Sequence, residues 1–130
     1  MAFIPHVYDK GMPDAFEYLE VTASETIVLG EALKLSSGKL TKCSGTTKPE
    51  FIAMQAVTSA PSGTRIPVIR VSDDTVYETT LQAEYSAIAK GLKQTIHTDG
   101  LQITTTTTSG VAEIIDWDGT AAGSKVRVRF

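Results

Sequence analysis

The sequence predicts an all-β protein, a compact β-sandwich or small β-barrel, on three observations. Threonine occurs 18 times in 130 residues while asparagine is absent; threonine is β-branched, stiff at its first torsion and suited to a pleated surface. Short apolar runs recur roughly every ten residues between Gly, Ser, Asp and Pro clusters, the rhythm of strands joined by turns. Only one stretch carries a helical spacing.

Residues 1–16 show no period of 2 or 3.6. Pro5, Gly11 and Pro13 interrupt them, and Phe3, Ile4, Val7, Tyr8 and Phe16 scatter apolar groups through them. Proline pushes the preceding residue away from the helical region, so Ile4 and Met12 are expected to be extended. A disordered tail is usually poorer in aromatics. The segment reads as an extended arm that buries apolar side chains either against its own domain or on a partner.

From residue 17 onward the chain reads as one β domain. Strands are expected over 16–22, 26–29, 32–35 and 39–43, the last two flanking a Ser36-Ser37-Gly38 turn in which glycine supplies a positive φ. The run 51–57 suits a strand buried on both faces. In the strand 65–71, Pro67 lacks an N–H for the ladder, which points to an edge or a bulge. Residues 75–81 alternate. Tyr85, Ile88, Ala89 and Leu92 share a helical face, so one or two helical turns are expected over 84–92, ended by Gly91. Strands follow at 95–98, from 101 into the threonine run 104–108, at 111–117 and at 125–130.

Two stretches can be superposed at an offset of about 60 residues: 30–70 and 91–129. Each reads glycine, strand, turn, strand, threonine loop, strand, small-residue turn, strand. Internal duplication and two similar β-meanders both fit this pattern.

The formal net charge is −3, without the clustered Lys and Arg of a nucleic-acid surface. No apolar run approaches the ~18 residues of a membrane span, and the first residues lack a signal peptide's basic and apolar regions. A single cysteine, Cys43, excludes a disulfide within the chain and any multi-cysteine metal site. These features point to a soluble protein folding in a reducing compartment.

Chemistry-bearing residues are sparse, and neither catalytic, cofactor-binding nor metal-ligating residues are assigned. His6 and His97 lie far apart, and the latter reads as a surface residue. Cys43 follows Lys42, which would lower its pKa slightly, but no base accompanies it. Asp73-Asp74, and Asp116 with Asp118, read as turn residues, short of the six or more oxygens that calcium needs. Lys125, Arg127 and Arg129 alternate onto one strand face, either solvated or turned to an acidic partner.

The succession Gly30-Glu31-Ala32-Leu33, Leu35 to Leu40, Ile52-Ala53, Val57, Gly63, Ile66-Pro67-Val68 and Val76-Tyr77-Glu78 resembles the capsid cement, or head-decoration, proteins of tailed bacteriophages. Their pattern runs G-x-A-L, a glycine hairpin, G-I-A and G-x-x-V-x-V-x-[LF]. Here it ends Gly123-Ser124-Lys125-Val126-Arg127-Val128-Arg129-Phe130, and Phe51 replaces the glycine of the middle signature. The resemblance spans roughly 17–130. It implies a non-enzymatic virion protein, made in the host cytoplasm, that binds major capsid protein on the outer capsid face, often as a trimer, and stabilises the expanded shell. The arm would add a strand to a capsid subunit's edge, with Phe3, Ile4, Val7 and Tyr8 as contacts. Competing expectations are another virion part (a head-fibre base, tail tube or adhesin domain) or a carbohydrate-binding module stacking sugars on Trp117, Tyr77 and Tyr85.

Overall fold

The computed structural model describes residues 2–8 and 16–130. It is all-β and sandwich-like, with two antiparallel five-stranded sheets. One sheet runs in the order β2 (Glu17–Glu20), β6 (Arg65–Arg70), β5 (Phe51–Ala53), β3 (Ala32–Ser36), β4 (Lys39–Lys42). The other runs β1 (Ile4–Tyr8), β7 (Thr75–Thr80), β10 (Lys125–Arg129), β9 (Ala112–Trp117), β8 (Lys93–Gln94). A parallel bridge ties each sheet back on itself, Val21 to Leu40 in the first and Leu81 to Ile103 in the second. No helix among the described residues is long and apolar enough to cross a membrane.

The two sheets are built on one plan. Glu17 to Glu20 pair with Val68 to Arg65, and Tyr77 to Thr80 pair with Val128 to Lys125, so both sides of the ladder shift by 60. Ala32 and Leu33 face Ile52 and Phe51 as Lys93 and Gln94 face Glu113 and Ala112, a shift of 61. Loop hydrogen bonds recur in the same way. Val21 N–H donates to Thr64 C=O as Leu81 N–H does to Ser124 C=O, and Gly30 N–H to Ala53 C=O as Gly91 N–H to Ile114 C=O. Core residues match too: Val21 with Leu81, Ile27 with Ile88, Ile66 with Val126, Val68 with Val128, all buried. The first unit thus closes β2, β6, β5 and β3 around an apolar cluster of its own, while the cluster of β7, β10 and β9 also takes in Ala32, Cys43, Ile52 and Ile69 of the first unit.

Several expected elements take another form. Residues 84–92 are not a helix but two turns, Ile88 N–H to Tyr85 C=O and Leu92 N–H to Ala89 C=O, both 3.4 Å. Two more of their amides bond outside the segment: Tyr85 N–H donates to Thr120 C=O in the loop after β9, and Gly91 N–H to Ile114 C=O in β9. Tyr85 and Ile88 are still buried, so the apolar spacing reported burial rather than helix. The run 51–57 is a strand only to Ala53; Val57 then bonds Ile27 in both directions, which is all that remains of the expected strand 26–29. In place of strands at 95–98 and 101–108, Ile96 makes isolated bridges to Gly45 and Ile103, and the threonines form a loop.

Pro67 lies inside its sheet, between β2 and β5. Its missing N–H faces the line of β5 beyond Ala53, where the strand has ended and only Met54 N–H reaches back to Pro67 C=O at 3.0 Å. Proline therefore costs the ladder little at this position.

Candidate docking face

Of the residues singled out for chemistry, His6, Lys125, Arg127, Asp116 and Asp118 meet in one charged cluster with Glu78. No group of three or more His, Cys, Asp or Glu able to hold a metal occurs among the described residues. The Cys43 thiol is buried and pushed up to about 11 by desolvation, which outweighs nearby lysine charge; its Sγ contacts Thr47 C=O at 3.2 Å. Such a thiol is a poor nucleophile at neutral pH. His6 Nδ1 lies 3.8 Å from Glu78.

The basic ending is occupied internally. Arg127 is only 16% exposed and holds Asp118 at 2.6 Å, Glu78 at 3.2 Å and Asp116 at 3.4 Å, while Lys125 lies 3.8 Å from Glu78. Asp116 and Asp118 therefore serve as partners of Arg127. Tyr77 and Tyr85 are core residues and Trp117 packs partly against the same core, so the three cannot form an exposed sugar-stacking platform.

The N-terminal arm is part of the fold. β1 pairs antiparallel with β7, Ile4 opposite Glu78 and Pro5 opposite Tyr77, with a register shift before Val7. Phe3 is fully buried between Phe130 and the Tyr77 cluster, and its N–H donates to Gly30 C=O at 2.8 Å. This corrects the expectation for Phe3, whose ring cannot contact a capsid without leaving its own core. The arm adds its strand in cis. Ile4 stays 46% exposed and available. Val7 and Tyr8 continue β1 opposite Val76 and Thr75, and their side chains lie outside the described residues.

What the structure does bring together is an apolar face on the outside of the β2–β6–β5 sheet. Directly opposed residues of an antiparallel pair share a face. Tyr18 opposes Pro67, and the same register carries Pro67 on to Met54. One step along, Phe16 falls beside Ile69. Ile52 and Ile69 on this face are covered by the second unit, but the face runs past that cover to Phe16, 56% exposed, and Tyr18, 62% exposed. Met54 continues it into a cavity of about 240 Å³ lined by Ala2, Phe3, Ile4, Pro5, Leu29 and Gly30 as well. Leu29 and Ile4 at its rim are about half exposed. At the corresponding positions of the second unit the outer face instead carries Glu78, Arg127 and, opposite Arg127, Asp116. Exposed aromatic and apolar groups gathered on one face mark an interaction surface.

Sequence reasoning named only Ile4 of this face as a contact. The others come from segments tens of residues apart and meet only through sheet register. No family model matches the chain, and no curated protein or solved structure is significantly similar to it.

Proposed function

We propose that this chain is a non-enzymatic structural protein of a tailed-phage virion that binds the outer surface of the capsid and stabilises the expanded shell. The observation that supports it best is the apolar row in which exposed Tyr18 runs on to half-buried Pro67 and Met54, flanked by exposed Phe16, Leu29 and Ile4, a face suited to covering an apolar strip on another protein. The order of the G-x-A-L, hairpin and terminal V-x-V-x-F signatures supplies the phage part of the reading. In that setting the partner is the major capsid protein, the chain sits on the virion surface as a trimer, and many copies add modest contacts into a large total by multivalency.

Co-sedimentation with expanded capsid shells of its own phage tests the reading. Saturable binding at a fixed ratio to the major capsid protein is expected. Absence of binding to expanded and unexpanded shells alike overturns it, and assembly of the pure protein into long tubes would favour a tail role.

A further inference from the structure

We infer that the free edge of β2 accepts an extended strand of the capsid subunit, antiparallel to residues 16–19, in the way that β7 accepts β1. The inference rests on the capsid reading for the identity of the partner; the site itself rests on the internal duplication. β2 and β7 occupy the same place in their units, each paired with its neighbour, β6 or β10, at a constant 60-residue shift. In both units the far end of the strand is closed identically: Thr22 N–H donates to Leu40 C=O and Gln82 N–H to Ile103 C=O. The near end differs. Along β7 it is filled by β1, whereas among the described residues β2 is the end of its sheet.

Backbone alternation fixes which groups face that edge. In an antiparallel ladder, residues exchanging hydrogen bonds alternate with residues that turn their N–H and C=O away. Val21 N–H donates to Thr64 C=O, so residues 21, 19 and 17 bond toward β6, and Tyr18 and Glu20 turn outward, with Phe16 next in the series. The Tyr18 carbonyl accordingly has a long 3.4 Å contact from the exposed Arg65 guanidinium, a side chain reaching round to an edge acceptor. In the second unit the outward residues at these positions are Glu78 and Val76, the residues opposite Ile4 and Val7 of β1. Val76 is 5% exposed; Phe16, its counterpart, is 56% exposed.

An occupant is thus specified in part. It is extended, because edge N–H and C=O groups are satisfied most completely by another strand. It carries an apolar residue opposite Tyr18, on the face shared with Pro67 and Met54, as β1 carries Ile4 opposite Glu78. The described part of the chain's own arm is committed to β7, with Phe3 in the core, and on the capsid reading the strand is the capsid subunit's.

Tyr18→Pro removes the outward N–H without touching the bonds to β6, and Tyr18→Thr keeps that N–H while removing the ring. With expanded shells as the probe, Tyr18→Pro should weaken binding about tenfold or more, the cost of a lost interfacial hydrogen bond and its orphaned acceptor, and Tyr18→Thr should weaken it less. On wild-type protein, deuterium exchange at the Tyr18 amide should slow on shell binding while that of Leu19, already bonded to Ile66, changes little. Shell binding by the wild type with an unchanged Tyr18 amide, or with full affinity in a folded Tyr18→Pro, overturns the edge site and leaves the capsid reading standing. Failure of the wild type to bind shells at all overturns both. Should Tyr18→Pro not fold, the exchange measurement on the wild type decides alone.

Discussion

Phe3 packs edge-on against Phe130, ring centroids 5.3 Å apart at 63°, and the first strand of the chain is thereby locked to the last. Tyr77 lies 5.4 Å from the same Phe130 ring. By the 60-residue shift, the counterparts of Tyr77 and Phe130 in the first unit are Glu17 and Arg70, which form a bidentate ion pair at 2.9 and 3.0 Å. The same opening is thus capped by charge in one unit and by three aromatic rings in the other, and the third ring is the arm.

Phe3→Ala should therefore act on folding before it acts on any partner. Removing a fully buried Phe from a packed core typically costs about 3–5 kcal/mol, and Phe3 is 0% exposed. Urea unfolding followed by tryptophan fluorescence should show a clear fall in midpoint with little change in slope. Ile4→Ala, at a half-exposed position, should change the midpoint by well under half as much. Equal effects would mean that the arm does not hold this packing in solution. Deleting residues 1–8 carries the same folding cost, so lost binding in a truncated chain does not by itself locate a contact on the arm.

Gly30 and Gly91 test the arm from the other side. They are counterparts, with φ of +80° and +86°, so a side chain at either position meets the left-handed backbone penalty of about 1–2 kcal/mol. Around Gly91 there is open space, but a Cβ on Gly30 would collide with the Ala2 side chain and sit 3.1 Å from the Phe3 carbonyl. Gly91→Ala should cost about the backbone penalty alone. Gly30→Ala should cost more, and in a chain lacking the arm the excess should vanish. A Gly30→Ala cost no greater than that of Gly91→Ala in the full chain would refute the close passage of the arm.

Glu31 makes stability depend on pH in the direction opposite to most carboxylates. It is 1% exposed; its Oε1 accepts a 3.3 Å bond from Val28 N–H, while its Oε2 is buried with no hydrogen-bond partner. Burial raises its pKa from 4.5 to about 7; the Val28 bond and Lys42 oppose the rise, and Glu25 and Asp99 add to it. The folded state then holds a proton that the unfolded chain has released between these two values. Stability from this group is present in full below about 4.5 and is lost as pH rises toward 7, by at most about 3 kcal/mol. Urea midpoints should fall between pH 5 and pH 8, and Glu31→Gln should flatten that fall. A wild-type midpoint that rises over this range, with the variant parallel to it, would contradict the assignment.

Much of this architecture could be read from the sequence because turns advertise themselves. Gly30 and Gly91, the Ser37-Gly38 hairpin, and the Gly63 and Gly123 turns all have positive φ at glycine, and their spacing exposed the two comparable stretches before any strand was paired. The helix expected at 84–92 failed because an i, i+3, i+7 apolar spacing describes what is buried, and two successive turns bury Tyr85 and Ile88 as well as a helix would. The arm was harder still. Pro5 and the register shift before Val7 destroy its alternation, and its partner β7 lies some seventy residues away in sequence. The docking face was illegible for a related reason. Tyr18, Pro67 and Met54 are unremarkable one by one and become a surface only when β2, β6 and β5 are in register.

Arg127 gives the last test, on the charged face that answers the apolar one. At the position where the first unit has Pro67, it contacts Asp118 at 2.6 Å, Glu78 at 3.2 Å and Asp116 at 3.4 Å while being only 16% exposed. The hydrogen bond to Asp118 is the largest influence raising its pKa, ahead of the surrounding carboxylate charge. Arg127→Ala removes the cation that holds Glu78, Asp116 and Asp118 together, so both lost bonds and mutual repulsion act. A loss of about 1–3 kcal/mol is expected at low salt. Because Asp116 and Asp118 are more than half exposed, part of that loss should be recovered in 1 M salt, where the screening length falls to about 3 Å. Arg127→Lys should restore charge without the forked geometry and recover only part of the stability. A salt-independent loss would instead assign Arg127 a packing role, its aliphatic stem covering β7 and β9.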